Sequence, residues 1–383
     1  LNTDAIDNSA GVNSSDVEVN LKIALSTPVR EGRLTMEARN ELLAGMTDEV
    51  AGLVLRNNYL QTLALSLAER RGAEDIGFQS RLMQALETRD LLDRAVEFLP
   101  SDAEIGERRK RGQGLTRPEL AVTLAYAKIA LFGDLLACDV PDEPYFAREL
   151  ARYFPKAVCE RFSEAVNGHR LRREIIATML ANSIINRGGP SLVARVADQT
   201  GADVPAIAKA FIAVRDAYGM TELNGAIDAL DCCVSGALQL SLYAAVQDLL
   251  LDRINWFLRN VDFSLGLTEI IAHYREGIAA VEAALKTALP NEQQASRRKR
   301  QDELVAAGVP EPLAAKLASL PELAAAPDIV RIADECKQPA EAVTAVYFAV
   351  GGYFRLDRIV QAAREIELAD HFDRLAFDRA LAE

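Results

Sequence analysis

Aromatic residues are scarce in this chain, at 6% of 383 positions with a single tryptophan. Long hydrophobic runs are missing too. The longest, around Val346 to Phe354, is broken by Gly351-Gly352, far short of the ~20 residues that cross a bilayer. A membrane partner is therefore not expected. Only three histidines occur, His169, His273 and His371, and the five cysteines show no Cys-x-x-Cys or Cys/His ligand spacing. No metal site is expected from such a set. Cysteine usage and the missing signal-peptide pattern point to a reducing compartment, and a cytoplasmic location is the expectation. Positive charge is in deficit, 43 Lys and Arg against 56 Asp and Glu, for a net charge of −13. An acidic chain repels phosphate backbones, so nucleic acid is not an expected partner. Strand patterns are nearly absent beyond the first dozen residues. No fixed internal period supports a solenoid.

What remains is helix. Half of the residues are hydrophobic, ample for a core, and small apolar residues at helical spacing suggest closely packed helices. Thr35 suits the start of a short helix through Leu43. Thr47 or Asp48 opens a long one that Gly72 stops. Another is expected from about Phe78 to Phe98, ended by Pro100, with a short charged helix after Ser101. Thr116-Arg117-Pro118-Glu119 reads as a capping box with proline in the first turn, opening a helix to about Leu136. Val140-Pro141-Asp142-Glu143-Pro144 is a connector. Helices are expected near 145–153, 156–166, 170–186, 191–200 and 203–218. A further long helix carries Leu238, Leu242, Val246, Leu249 and Trp256 on its core side. Pro290, Pro310, Pro312, Pro321, Pro327 and Pro339 divide the tail into short helices.

The opening stretch stands apart. The chain begins with Leu1 rather than methionine, which is expected of a cut inside a longer polypeptide. Asn8, Ser9, Ala10 and Gly11 are small or turn-forming, and Gly11 allows the backbone to approach a ligand or take φ > 0. Ser15 stands three residues before Glu18, the spacing of a capping box. The expectation is an extended piece, a polar turn, and a helix from about Asp16 to Ser26 that stops before Thr27-Pro28. Two readings follow from spacing alone. The amides of that helix start could receive a carboxylate or phosphate. Equally, Ser15 could simply cap its own helix.

Other features take both a functional and a plain reading. Arg108-Arg109-Lys110-Arg111 and Arg297-Arg298-Lys299-Arg300 could bind an anion or line solvated helix faces. Gly112-Gln113-Gly114 is the nearest approach to a dinucleotide fingerprint, but it lacks the third glycine and follows no strand. It reads as a loop. Glu365 and Glu367 sit at ordinary helical spacing and need no catalytic role.

Asp4, Asn8, Gly11, Val12, Ser15 and Glu18 match without a gap the pattern Asp-x-x-x-Asn-x-x-Gly-Val-x-x-Ser-x-x-Glu. This resembles the end of the catalytic domain of glutamate dehydrogenases. The wider wording, Asn2 to Asp16, resembles the large bacterial NAD-specific class, in which a long helical C-terminal region follows the catalytic core. Leu115 to Val122 and Ala181 to Arg187 are similar to that class as well. The last third matches only in helical character. Ser9-Ala10 departs from the Ala-Gly of the smaller enzymes.

The resemblance implies an all-α, multi-helix C-terminal domain preceded by a short end-piece of an α/β dinucleotide-binding catalytic domain. The end-piece would be residues 1–30 and the helical domain residues 31–383, with seams near 140 and 290. It implies that Asn8 and Gly11 lie at the nicotinamide end of NAD and that Ser15 binds the side-chain carboxylate of L-glutamate or 2-oxoglutarate. The catalytic lysine and most of the NAD site would lie upstream, so no catalytic residue is expected in this chain and the isolated fragment is expected to be inactive. The helical part would brace the core, join subunits in a homo-oligomer, or transmit regulation. Two other classes compete: a free-standing helical interaction module, and a helical enzyme with an unrecognised site.

Overall fold

The computed structural model describes residues 2–366 and, after them, positions 368, 373, 376, 377 and 380. Glu367 and His371 lie outside the described residues. About 80% of the chain is helical, and the described residues contain 22 α-helices and no strand. The all-α expectation holds. The exception is the opening segment, where the extended piece is replaced by helix.

The chain divides into two compact units, residues 1–198 with 202–208, and residues 199–201 with 209–383. The connector at 140–144 falls inside the first unit and Pro290 inside the second.

The first unit begins with a single turn, α1 (Asp4–Asp7), and the long α2 (Ser9–Arg30). Then come α3 (Met36–Gly45), α4 (Thr47–Arg71), α5 (Ile76–Thr88), α6 (Asp102–Lys110) and α7 (Arg117–Leu136). Short α8 (Ala147–Tyr153), α9 (Lys156–Arg161) and α10 (Ser163–Asn167) lead to α11 (Arg172–Gly188). Its core is built where α4, α7 and α11 meet, with α2 laid on α4 and α8 on α11. Leu65, Leu120, Leu124, Leu135, Leu150, Ile176 and Ile184 are fully buried there.

Several boundaries follow their caps. Thr35 accepts the Ala38 amide at 3.1 Å, and Ser101 forms a capping box with Glu104. Thr116 and Glu119 form the expected box with proline in the first turn. Gly72 ends α4 at φ +51°. A Cβ on Gly114 would lie 2.7 Å from the Gly72 backbone, so Gly112-Gln113-Gly114 is a loop whose second glycine admits a neighbouring chain. The helix expected through Phe98 ends ten residues early at Thr88. Asp90 and Phe98 then adopt left-handed backbone, both at φ 54°, and the intervening segment is irregular. The helix expected over 156–166 breaks at Phe162.

Helices α12 (Leu192–Thr200) and α13 (Val204–Ala217) carry the boundary between the units. The second unit continues with α14 (Met220–Asp228), α15 (Gly236–Asn260), α16 (Leu267–Ala288) and α17 (Asn291–Ala306). It closes with α18 (Glu311–Ala318), α19 (Leu320–Leu323), α20 (Ala326–Cys336), α21 (Ala340–Phe354) and α22 (Leu356–Arg364). Helix α16 packs on α20 and α21. A Cβ on Gly277 would meet Val330 at 2.4 Å, so that glycine sets the close approach of α16 to α20. Trp256 is buried and donates its indole N–H to Asp328 at 2.8 Å. The basic run of α17 stitches this unit together. Arg297 reaches Ser319, while Arg300 reaches the Ala318 carbonyl and Glu322.

Candidate functional site

The motif of the opening segment is a helical stripe. Asn8 occupies the cap position of α2, and Gly11, Val12, Ser15, Glu18, Val19 and Lys22 follow at steps of three and four residues. Such spacing places them along one side of a 3.6-residue helix. All of them are exposed, Val12 at 71% and Val19 at 52%. The opposite side carries Val17, Asn20, Leu21, Ala24 and Leu25, all buried. Asp4, the first residue of the motif, lies on the preceding turn α1 and is exposed.

This geometry corrects the expected start of the helix. Ser15 is not a cap, because α2 begins six residues earlier. Its hydroxyl donates back to the Val12 carbonyl at 2.9 Å, and Glu18 pairs with Lys22 at 2.5 Å along the same face. Tertiary contacts explain the early start. Ser9 donates to the Ile6 carbonyl at 3.0 Å and to Asn58 Oδ1 at 2.6 Å, and Gln61 of α4 donates to Ser9 Oγ at 3.2 Å. The helix also runs through Pro28 instead of stopping before it. Proline removes one ladder bond near the helix end, and its own burial offsets the loss. Its carbonyl accepts the Arg33 and Leu34 amides at 2.9 and 3.2 Å, which closes the terminus.

Gly11 sits within this helix with nothing inside 4 Å of where a Cβ would project. A helical glycine costs about 0.5–1 kcal/mol relative to alanine. No packing inside the chain requires one here. The face over Gly11, between Asn8 and Ser15, is open.

The underside of α2 is held by polar groups that the sequence did not reveal. Asn20 Nδ2 donates to Tyr153 Oη at 2.8 Å and to Asp16 Oδ1 at 3.2 Å. Tyr153 donates to Asp16 Oδ2 at 2.7 Å, closing a triangle. Burial and the adjoining Asp16 push the Tyr153 phenol well above its ordinary value. His169 is buried. Its Nδ1 accepts the Leu171 amide at 3.1 Å, so Nε2 carries the proton and donates to the Asn20 carbonyl at 3.1 Å. Burial pushes the imidazole below its usual value, while the Asn20 bond and nearby Glu174 act the other way. Near the other end, Lys128 donates to Gln61 Oε1 at 3.3 Å, and burial pushes its ammonium down to about 7.

The other features singled out in the sequence do not join this stripe. Arg108 forms a two-pronged pair with Glu119 at 2.6 and 2.8 Å. His273 pairs with Asp334 on the surface of the second unit. All five cysteines are free thiols. Among the described residues no cluster of His, Cys, Asp or Glu could hold a metal, and no helix is long and apolar enough to cross a membrane.

The arrangement is a helix with an exposed polar stripe, built into a wholly helical region. Known families match at both ends of the chain. Residues 1–68 match the bacterial NAD-glutamate dehydrogenase catalytic domain. Residues 112–383 match the family described as glutamate dehydrogenase, C-terminal, and the chain belongs to that family. It is 40% identical over 378 residues to an NAD-specific glutamate dehydrogenase of Halomonas elongata and 40% identical over 375 residues to that of Pseudomonas aeruginosa. The Mycobacterium tuberculosis protein of the same name is 32% identical over 377 residues. These alignments cover 98–99% of this chain but 23% of each relative, so the chain corresponds to a C-terminal region.

Proposed function

We propose that this chain is the C-terminal part of an enzyme that converts L-glutamate, NAD and water to 2-oxoglutarate, ammonia and NADH. Residues 1–30 contribute the last wall of the active site. The observation that carries this reading is the exposed stripe of α2, which holds the motif residues together on one side of a helix fixed by its other side. Asn8 and Gly11 lie at the nicotinamide end of the cofactor, where a residue without a side chain gives a flat ring room. Ser15 donates a hydrogen bond to the side-chain carboxylate of the substrate. NAD, when bound, accepts the hydride. The residues of this chain orient and enclose, and the acid–base groups belong to the rest of the polypeptide. Residues 31–383 brace that site, join subunits of a cytoplasmic homo-oligomer, or transmit regulation to it.

Ser15→Ala in the full-length enzyme tests the assignment. A lost charge-assisted hydrogen bond is worth roughly 1.5–3 kcal/mol, so KM for glutamate should rise about ten-fold or more. Stability should hold or rise slightly, since the hydroxyl now back-bonds to a helix carbonyl and alanine is the better helix former. An unchanged KM would remove Ser15 from the substrate site.

A further inference from the structure

The underside of α2 carries more polar chemistry than packing requires. Leu21, Ala24 and Leu25 bury the helix, but aliphatic contacts tolerate small rotations and slides. Hydrogen bonds do not, because their strength falls steeply with angle. Asn20 is gripped twice, through its amide by Tyr153 at the end of α8 and through its carbonyl by His169 in the loop before α11. Asp16, the neighbour of Ser15, accepts from both Asn20 and Tyr153. The His169 ring is fixed in turn by the Leu171 amide and stands 5.5 Å from the Phe154 ring, centroid to centroid. The grip spans 133 and 149 residues of sequence, so residues 31–383 supply it.

Resting on the reading of the stripe given above, we infer that Tyr153 and His169 are positioning residues, which set the rotation of α2 about its axis and thereby the placement of Asn8, Gly11 and Ser15. The leverage is large. Side chains stand about 5–6 Å from a helix axis, so a rotation of ~20° moves the Ser15 hydroxyl by roughly 2 Å. A misplacement of ~1 Å at a reacting site costs on the order of 100-fold. The helical region thus contributes to catalysis without touching substrate, by holding the helix that does.

The test uses the full-length enzyme and four single variants: Ser15→Ala, Tyr153→Phe, His169→Leu and His169→Gln. Tyr153→Phe keeps the ring that packs edge-on against Phe154. His169→Gln keeps a donor for the Asn20 carbonyl. The expected result is a rise in KM for glutamate in Tyr153→Phe and His169→Leu that approaches the rise of about ten-fold or more expected of Ser15→Ala, since displacing the hydroxyl costs at most the bond it makes, with recovery toward the parent value in His169→Gln. Adding Tyr153→Phe to Ser15→Ala should raise KM little further, because both act through one hydroxyl. Kinetics are read on the folded fraction, which a purely structural role would leave unchanged while the melting temperature fell. Should His169→Leu fail to fold, Tyr153→Phe and the double variant decide. If Ser15→Ala raises KM but Tyr153→Phe does not, or the two effects multiply, the positioning role is overturned and the stripe stands. If Ser15→Ala leaves KM unchanged, the stripe reading falls and the inference with it.

Discussion

Gly11 is a residue that the packing of its own chain does not require. It lies inside α2, on the exposed side, with open space where a Cβ would be. Replacement by alanine should therefore stabilise the isolated chain by about 0.5–1 kcal/mol, measurable as an increased urea midpoint. The same change in the full-length enzyme should weaken NAD binding, seen as a higher KM for NAD. Opposite signs in the two measurements would mark a position kept for a ligand. Matching gains in stability and unchanged kinetics would make Gly11 an ordinary helix residue. Its importance was legible in the sequence as part of a motif, but its conformation was not. A glycine beside Asn8 and Ser9 reads as a turn, and only the contacts of Ser9 with Asn58 and Gln61 turn that stretch into helix. The contact of His169 was not legible for a related reason. Nothing near it in the sequence indicates that it faces Asn20, 149 residues away.

At the scale of elements, the signals that held are the ones carried by local chemistry. The Thr116–Glu119 capping box marked the start of α7, and Gly72 marked the end of α4. The signals that failed lie at Pro28, which is buried within α2, and at residues 89–100, where irregular backbone replaces the expected helix. The α7 cap does more than its four residues suggest. The Glu119 carboxylate accepts the Thr116 amide at 2.7 Å and two bonds from Arg108. Burial alone would raise its pKa, but the bonds from Arg108 and Thr116 outweigh it and hold the carboxyl below its ordinary 4.5. A carboxylate depressed in the folded state stabilises fully above its unfolded pKa, and that contribution is lost as pH falls through the folded value. Glu119→Gln should therefore cost roughly 1.5–3 kcal/mol at pH 7. The variant and parent midpoints should converge as pH falls through the depressed folded value. A constant gap down to pH 3 would mean that charge plays no part in the cap.

At the scale of the whole molecule, the match to the catalytic domain ends at residue 68, and the match to the C-terminal family begins at residue 112. Yet α4 from the first region, on which α2 lies, packs with α7 and α11 from the second in one compact unit. The helical extension is thus fused to the end of the catalytic domain through a shared core. Helical character along the whole chain was legible from periodicity and punctuation, since both are local. That fusion was not, because it depends on which apolar faces meet. The shared core also separates folding from activity. Residues 1–198 with 202–208 bury their own hydrophobic centre, so α2 should form without the remainder of the enzyme. A formed stripe is still only one wall. The sequence carries no dinucleotide fingerprint, and the two ionised side chains of the stripe, Glu18 and Lys22, are paired with each other. The isolated chain should therefore show strongly helical circular dichroism, matching its 80% helix, and a cooperative melt. With glutamate and NAD it should give no NADH above the blank. Clean, folded material that turned over glutamate would place a complete active site within these residues and overturn the division of labour proposed here.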